Sequence, residues 1–487
     1  MLLVVRFFAE ITIKTRPVRR HFIRILRRNL LILLRRIDAR VRISGEWDNF
    51  EVLSSSTDPQ VLQQLQDTLA NTPGIALVIL VNKSPLPELE GILQETRKFY
   101  QDLLPGKTFA VRCRRQGNHQ FSSMDVERYV GSGLSTENTA VNLTNPEVTV
   151  RINIRGDMLL VVKKIIRGLG GYPLGTQDAV LSLISGGFDS GVSSYQCIRR
   201  GMVTHYCFFR LGGEQHELAV KELALYLWLK FGASHKVKFV TVPFEGVVEE
   251  IRHKVAGSQM GVVLKRMMMR AASRIAADLN VQALVTGESI AQVSSQTLAN
   301  LALIDSICDT MVLRPLIATD KQEIINLARK IGTEKFSTAI PEYCGAVSLK
   351  PTTRARKDRI EFEEGRIDFS LLEEAIEQRE IQYIDRVVKA LGNKATEPEQ
   401  HAVIPAGTIL IDIRHPNETE SQPLHLSETD KAVRVVAIPF YRLHTVFPSL
   451  DKRSLYLLYC GKGMMSRLHA SHLKDAGHGN VAVYLPN

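Results

Sequence analysis

The chain has no apolar run of the roughly 20 residues that a membrane-spanning helix needs. Its most apolar candidate, residues 30–34, lies between Arg28 and Arg35, and Arg6 interrupts the apolar start, which argues against a signal peptide. Only six cysteines occur in 487 residues, too few for a disulfide framework in so long a chain. These absences predict a cytoplasmic protein in which any cysteine pairing is transient and catalytic.

The charge is distributed unevenly. Residues 1–175 carry 25 Lys and Arg against 16 Asp and Glu, a net +9, whereas the remaining residues supply only +2 of the total +11. A basic front end on a nearly neutral remainder suggests a module that binds a polyanion. On charge alone, a merely soluble basic surface is an equally good interpretation.

The length predicts about three domains, whereas the patterning along the chain separates four regions. We find no internal repeats. Residues 1–75 open with a strand and continue, after Pro17, as a basic amphipathic helix. Residues 76–170 mix short strands with one helix, and the glycine-rich segment 168–173 resembles a linker. In residues 176–391 strands alternate with helices, which predicts a parallel sheet covered on both faces, followed by a charged helical stretch from 354. Residues 401–487 form a small α/β unit after a polar segment.

The strongest motif is Ser185-Gly186-Gly187-Phe-Asp189-Ser190, between a predicted strand and a predicted helix. Adjacent glycines let the backbone approach a ligand, and serine hydroxyls with backbone N–H groups can surround a phosphate at the helix N-terminus. The lysine that ends a Walker A loop is missing. The structural alternatives are a plain Ser/Gly turn and a helix-capping role for Asp189.

This loop resembles the pyrophosphate loop of ATP pyrophosphatases. Four further segments resemble the tRNA uridine 4-sulfurtransferase family, which also serves thiamine biosynthesis: 261–269, 283–288, 292–297 and 341–345. The resemblance covers nearly the whole chain and implies an α/β multidomain protein. Its domains would be ferredoxin-like (1–75), THUMP RNA-binding (76–170), a doubly wound parallel-sheet PP-loop ATP pyrophosphatase with a helical extension (176–391), and small α/β rhodanese-like (401–487).

The same resemblance implies an ATP site with Mg²⁺ but no dedicated protein metal site. Asp189 would be catalytic by organising Mg²⁺ and ATP for adenylation of the substrate oxygen. Gly287 follows a predicted strand at the sheet edge where α/β proteins bind ligands, whereas Lys265 alone would be interpreted as a solvated lysine. The implied ATP-binding residues are Leu183, Ile184, Ser185, Gly186, Gly187, Asp189, Ser190, Lys265, Gly287 and Gln296.

The THUMP resemblance rests on the basic segment 112–119 and the predicted helix after it. Arg112, Arg114 and Arg115 alternate with other residue types there, which suits contacts to the phosphates of an RNA stem. A solvated basic turn is the alternative. The resemblance implies tRNA as the partner, and the three arginines are our candidate tRNA-binding residues.

Two cysteines differ from the rest in their setting. Cys460 ends an apolar strand and begins a strand-to-helix loop, where backbone N–H groups would stabilise a thiolate or persulfide. Cys344 lies in a Gly-flanked turn. We hypothesise that Cys460 carries the sulfur and that Cys344 resolves it through a Cys344–Cys460 disulfide. Rhodaneses usually have an arginine where this chain has Met465, which favours a cysteine desulfurase over thiosulfate as the donor. Core packing is expected for Cys113, Cys197, Cys207 and Cys308.

Three function classes compete at this point. The first is an ATP-dependent tRNA sulfurtransferase that makes 4-thiouridine at position 8 and also supplies the sulfur-carrier protein of thiamine synthesis. The second is another PP-loop ligase or amidotransferase, although no glutaminase-like segment is found. The third is a non-catalytic RNA-binding protein, which leaves the intact loop unexplained. The family resemblance favours the first and implies a homodimer.

Overall fold

In the computed structural model the chain forms two compact units, residues 1–176 and 177–487. No helix among the described residues is long and apolar enough to cross a bilayer. The structure describes residues 2–45, 47, 49–211, 214–338, 350–387, 398–414, 419, 423–424, 426, 433–439, 443, 446–460, 464–475 and 477–486.

The first unit is built on one eight-stranded sheet in the order β2-β3-β1-β4-β8-β7-β5-β6. Its strands are β1 (Leu2–Phe7), β2 (Arg42–Ser44), β3 (Asn49–Leu53), β4 (Ile75–Pro85), β5 (Thr108–Gln116), β6 (Ala140–Val141), β7 (Val148–Arg155) and β8 (Met158–Arg167). Its helices are α1 (Ala9–Thr12), α2 (Arg16–Leu34), α3 (Pro59–Ala70), α4 (Leu89–Tyr100) and α5 (Ser123–Leu134). The expected boundary at residue 75 therefore falls at the start of β4, a central strand of the shared sheet.

Alternation of side chains explains how the helices cover this sheet. Leu3 and Val5 of β1 point to the core that α2 fills with Leu26 and Leu30, all of them buried. The predicted linker at 168–173 is wrong, because this segment belongs to the unit. Tyr172 packs into the same core, and the Gly168 and Gly170 N–H groups donate to carbonyl oxygens at the start of β4.

The second unit contains a six-stranded sheet in the order β13-β12-β9-β10-β11-β14, parallel except for β14. Its strands are β9 (Gln177–Leu183), β10 (Met202–Arg210), β11 (Lys238–Pro243), β12 (Ala283–Val285), β13 (Met311–Leu313) and β14 (Glu380–Tyr383). Its helices are α6 (Phe188–Arg199), α7 (Glu214–Leu227), α8 (Glu245–Lys254), α9 (Met260–Asp278), α10 (Leu298–Asp305), α11 (Lys321–Ile331), α12 (Glu334–Ser337), α13 (Lys357–Glu364) and α14 (Ser370–Glu377). Leu181, Val240 and Leu284 are fully buried, as expected for strands of a sheet that helices cover on both faces.

The charged stretch from residue 354 departs from its predicted helical structure. It forms α13 and α14 and then β14, which pairs antiparallel with β11 so that Glu380 lies opposite Thr241. The edge of β11 offers unpaired backbone groups, and this tertiary partner overrides the helical composition.

A third, fully parallel sheet lies in the order β15-β19-β18-β16-β17. Its elements are β15 (Gln400–His401), β16 (Ile409–Asp412), β17 (Arg434–Ala437), β18 (Tyr456–Tyr459), α15 (Met464–Asp475) and β19 (Val481–Tyr484). Leu410, Leu457 and Ala482 form its buried centre. The predicted α/β class is confirmed across the described residues.

Candidate nucleotide and sulfur-transfer sites

The Ser-Gly-Gly loop connects β9 to α6. Gly186 has φ +91°, a left-handed conformation that favours glycine, and Gly187 is the N-cap of α6. The Ser190 hydroxyl accepts from the Ser185 N–H at 3.3 Å and donates to the Gly187 carbonyl at 3.0 Å. The loop is therefore folded back onto the first turn of α6, where a phosphate would meet backbone N–H groups and the positive end of the helix.

Asp189 lies in the first turn of α6 and contacts two residues that sequence reasoning missed. The Lys321 ammonium lies 2.9 and 3.0 Å from the two carboxylate oxygens, and the Gln292 amide donates to Oδ2 at 2.9 Å. Lys321 opens α11 and Gln292 follows β12, so the carboxylate joins three elements. A cap interaction of Asp189 with its own helix is not among its hydrogen bonds within the described residues, whereas a phosphate-sized anion would find Lys321 beside it.

Gly287 packs directly against the loop. A Cβ atom there would lie 2.6 Å from the Asp189 carbonyl carbon and 2.8 Å from the Ser190 nitrogen, distances that real side chains do not adopt. Only glycine lets the end of β12 approach the first turn of α6 this closely. The predicted residues Asp189, Ser190 and Gly287 are thus brought together.

Lys265 is tied to the same place by Glu288. Its ammonium contacts Glu288 Oε1 at 2.7 Å, while Arg314 Nε donates to Oε2 at 2.8 Å and also holds Asp305 with its two terminal nitrogens. Burial opposes ionisation of Glu288, but Lys265 and Arg314 outweigh it and lower the pKa of this carboxyl. Lys265 is therefore paired with the carboxylate of the residue that follows Gly287, and the solvated-lysine interpretation is wrong.

Gln296 is the remaining predicted polar ligand. It lies in a short 3₁₀ turn at Ser294–Gln296 and is buried, and its side-chain oxygen has no hydrogen-bond partner among the described residues. Ala291, which has φ +62°, donates its N–H to the Gln296 carbonyl at 3.1 Å. An unpartnered buried amide oxygen and a strained loop both fit a place where a bound ligand completes the hydrogen bonding.

The predicted residues Leu183 and Ile184 lie at the end of β9, directly before the Ser-Gly-Gly loop. Ile184 is buried, and its N–H donates to the Cys207 carbonyl of the neighbouring strand at 2.9 Å. His216 of α7 lies 3.0 Å from the Ser185 carbonyl through Nε2. Burial lowers the pKa of His216, so the neutral imidazole donates to the loop from Nε2.

Together these contacts gather cations and donors at the carboxyl ends of β9 and β12. Such a position is where open α/β sheets bind nucleotides. Among the described residues no group of three or more His, Cys, Asp or Glu side chains could hold a metal ion.

Cys460 follows β18 and is 8% exposed. Both the N–H and the hydroxyl of Ser466, in the first helical turns of α15, lie 3.3 Å from its sulfur. The predicted helix N-terminal setting of this thiol is therefore observed at Ser466. At the end of β16, Asp412 and Arg414 form a buried ion pair, with the guanidinium 5.1 Å from the Tyr459 ring centre. Cys344 and residues 461–463 lie outside the described residues.

The other cysteines behave as expected. Cys113, Cys197 and Cys207 are buried, and burial raises the pKa of Cys197 to about 12, so its thiol is inert at neutral pH. Cys308 is partly buried, and its sulfur lies 2.8 Å from the Ser273 hydroxyl.

The three candidate tRNA-binding arginines do not share a face of β5. Arg112 and Arg114 alternate with the buried Cys113 and lie opposite Arg151 and Asn153 of β7. Arg115 lies on the other face, and its guanidinium is engaged by the Gly117 carbonyl at 2.9 Å and by His119 at 3.0 Å. Nearby positive charge also acts on Arg6. Burial first, and then Arg114, Arg155 and Arg151, lower the pKa of its guanidinium.

Sequence reasoning missed Gln292, Lys321, Glu288, Arg314 and His216. Each is an ordinary polar residue that contacts a site residue 23 to 132 positions away, so no local pattern marks it. The one available signal was position, because Glu288 and Gln292 follow a predicted strand of the parallel sheet.

Comparison with known proteins adds independent information. The family model described as "Thiamine biosynthesis protein (ThiI)" matches residues 175–369, and the THUMP domain model matches residues 88–162. Proteins called tRNA sulfurtransferase from Azotobacter vinelandii and Saccharophagus degradans are 52% and 50% identical, with 100% of both chains covered. The crystal structure of a 4-thiouridine synthetase–RNA complex with bound ATP has the same fold (TM-score 0.68, 24% identity), covering 79% of this chain and 99% of that chain.

Proposed function

The chain belongs to the tRNA sulfurtransferase family. We propose that it converts the uridine at position 8 of tRNA to 4-thiouridine, with ATP as the activating substrate. The observation that carries this proposal is the convergence of Asp189, Gly287 and the Lys265–Glu288 pair around the Ser-Gly-Gly loop. The relatives called tRNA sulfurtransferase support the reaction class, and the ATP-bound structural neighbour supports the nucleotide.

In this proposal the loop N–H groups, Ser185 and Ser190 hold the phosphates of ATP. Lys265 and Lys321 neutralise charge that develops as the uridine oxygen attacks the α-phosphate and pyrophosphate leaves. Asp189 orients Lys321 and helps to hold the Mg²⁺ that accompanies ATP, and Gln296 offers its free oxygen as an acceptor. The product is a uridine whose C4 oxygen carries AMP, a leaving group that sulfur can displace.

Cys460 brings that sulfur as a persulfide received from a cysteine desulfurase. The terminal sulfur attacks C4 and displaces AMP, which leaves the base joined to Cys460 through a disulfide. The Cys344 thiolate then attacks the Cys460 sulfur, so that the C4 sulfur departs as the thiocarbonyl of 4-thiouridine and a Cys344–Cys460 disulfide forms. A dithiol reductant returns both cysteines to thiols. The Ser466 N–H beside Cys460 supports this role because it stabilises an anionic sulfur.

The proposal also includes a homodimer, a cytoplasmic location and a second sulfur acceptor, the sulfur-carrier protein of thiamine synthesis. Arg112 and Arg114 are proposed to contact the tRNA backbone. Arg115 is the weaker candidate because it lies on the opposite face of β5 from this pair.

The experiment is reconstitution with purified protein, unmodified tRNA, Mg²⁺, ATP, a cysteine desulfurase and cysteine, followed by nucleoside mass spectrometry. We expect 4-thiouridine at position 8, with AMP and pyrophosphate released in equal amounts. Peptide mapping after one turnover without reductant should find the Cys344–Cys460 bond. An unmodified tRNA, or thiolation that needs no ATP, would contradict the proposal.

A further inference from the structure

Helix α2 carries a row of arginines along its exposed side. Arg16, Arg20, Arg24 and Arg28 follow each other at intervals of four residues, and all four are exposed. Positions four apart lie on one helix face and advance by about 6 Å along the axis. We call these four residues the arginine ridge. The opposite side of α2, with Phe22, Leu26 and Leu30, is buried in the core of the first unit, which fixes the ridge toward solvent.

The charges of the ridge face no acidic partner among the residues that the structure describes. Arg20, Arg24 and Arg28 have no carboxylate partner in the part of the chain that the structure describes, and α2 contains no Asp or Glu. Like charges four residues apart destabilise a helix by about 0.2–0.5 kcal/mol per pair, and cations near a helix N-terminus oppose its dipole. Helix stability therefore disfavours this row, which points to an external anion.

An open pocket lies at the first turn of the ridge. It has a volume of about 320 Å³ and is lined by Lys14, Arg16, Arg19 and Trp47. The Arg19 guanidinium lies 4.2 Å from the centre of the Trp47 ring and donates to the Thr12 and Trp47 carbonyls at 2.9 and 2.8 Å. These bonds hold the Arg19 guanidinium against the Trp47 ring, and Trp47 is still 45% exposed. The pocket is thus a preformed combination of aromatic surface and positive charge.

Building on the proposed function, we propose that the arginine ridge and the Trp47 pocket form one RNA-binding surface, separate from Arg112 and Arg114. The ridge contacts successive phosphates of one RNA strand, because its 6 Å repeat is close to their separation. The pocket holds an unpaired nucleotide, with the base against Trp47 and its phosphate near Lys14 and Arg16. Base–aromatic stacking beside cationic groups is the usual chemistry for unpaired nucleotides. An RNA partner fits better than a lipid surface, since Val18 is the only large apolar side chain exposed on α2 and a membrane-binding helix needs an apolar face.

The first test compares two full-length triple variants that lose the same charge. Arg20→Gln/Arg24→Gln/Arg28→Gln removes three of the four ridge arginines and keeps good helix formers. Arg252→Gln/Lys254→Gln/Lys330→Gln removes three exposed cations of the second unit and is the control. We expect the ridge variant to lose at least about tenfold in tRNA affinity and to flatten the log–log salt dependence by roughly two units, because each phosphate contact contributes about 0.7–0.9. The control should keep the wild-type slope.

The second test uses the two tryptophans of the chain. Trp228 is buried and donates to the His235 carbonyl, so Trp228→Phe leaves Trp47 as the only tryptophan fluorophore. We expect tRNA to quench the Trp47 emission and a blunt RNA duplex to bind without quenching it. Quenching by both RNAs, or by neither while tRNA binds, would overturn the pocket assignment.

The outcomes also separate this inference from the proposed function. A wild-type protein that thiolates tRNA, together with a ridge variant of unchanged slope, would overturn the ridge alone. A wild-type protein that neither binds nor thiolates tRNA would overturn the proposed function. Binding of the ridge to vesicles of anionic phospholipid, with tRNA affinity unchanged in the variant, would assign the surface to membranes and reject our proposal.

Discussion

The nucleotide site of the second unit and the arginine ridge of the first unit use charge in opposite ways. Around the Ser-Gly-Gly loop, Asp189 pairs with Lys321, and Glu288 joins Lys265 to Arg314. On α2, Arg20, Arg24 and Arg28 have no carboxylate partner among the described residues. Paired and partly buried charges hold fixed directions for one small ligand, whereas exposed unpaired charges suit a large polyanion whose contacts respond to salt. The comparison predicts that chemistry and tRNA binding can be separated by mutation.

Substitution of Cys460 by Ser should separate sulfur transfer from tRNA binding most completely. We expect thiolation to fall below detection, because the oxygen cannot carry a sulfane sulfur, while tRNA affinity stays at the wild-type value. Cys308→Ser is the control, since Cys308 contacts the Ser273 hydroxyl and the Thr310 carbonyl and lies outside the proposed chemistry. Nucleoside mass spectrometry and tRNA titration measure the two properties. Thiolation by Cys460→Ser would end the assignment of sulfur transfer to this residue.

Asp189→Asn should come next. The amide keeps the size of the side chain but loses the charge that holds Lys321, so we expect tRNA-dependent pyrophosphate release to drop about 100-fold or more. Asp178→Asn changes an exposed aspartate at the opposite end of β9 and should be close to wild type. Pyrophosphate assays and tRNA titration of both variants check this. Equal rates for the two variants would show that the Asp189 charge has no catalytic part.

Acid should affect the second unit through His205, a half-buried residue of β10. Burial, with a smaller contribution from Lys238, lowers the pKa of His205 from 6.5 to about 4. Because the folded-state pKa is below the unfolded value, protonation of His205 favours the unfolded state. The free energy of unfolding is therefore at its full value above pH 6.5 and decreases by about 3 kcal/mol as the pH falls toward 4.

Denaturant unfolding at a series of pH values tests that prediction with His205→Asn, whose amide oxygen can still accept from the Lys238 N–H. The variant should lose less stability between pH 6.5 and 4 than the wild type. His253→Gln changes an exposed histidine and should keep the wild-type pH profile. Identical profiles for His205→Asn and the wild type would refute the role of His205.

Glu288→Gln should have a smaller effect that is confined to ATP. The change weakens the contacts that hold Lys265 and Arg314, and we expect about a tenfold rise in KM for ATP, which corresponds to one charge-assisted hydrogen bond. KM for tRNA should not change. Glu373→Gln, at an exposed ion pair with Arg274, is the matched control for steady-state kinetics. A rise in KM for tRNA instead would contradict the separate roles of the nucleotide site and the tRNA-binding surface.

The smallest effect is expected at β5. Arg112→Ala/Arg114→Ala should flatten the salt dependence of tRNA binding by roughly one unit for each phosphate that the variant no longer binds. Arg115→Ala should change the slope less, because Arg115 lies on the opposite face of β5 from Arg112 and Arg114. Titrations at several salt concentrations measure both slopes. A larger change for Arg115→Ala would reverse this ranking.

Local patterns were sufficient where local physics decides the structure. Strand β1 forms at the apolar start of the chain as predicted, and the Ser-Gly-Gly loop lies between a strand and a helix as its composition indicates. Strand β14 could not be predicted, because its helical composition yields to a partner strand more than 130 residues away. The role of Lys321 could likewise not be predicted, because only the fold places it beside Asp189. The different faces of Arg112 and Arg115 followed from strand alternation, which the basic composition of the segment concealed.

Strand β14 also limits how the chain can be divided for study. Glu380–Tyr383 completes the edge of the nucleotide sheet, although it lies after two helices of the charged stretch. A fragment that stops before residue 380 would leave the backbone of Lys238–Thr241 without a partner strand. Such an exposed edge favours pairing with a strand of another molecule. Fragments that keep residues up to 387 retain this edge. A shortened protein that precipitates on expression would therefore report a missing strand, and not a nucleotide domain unable to fold by itself.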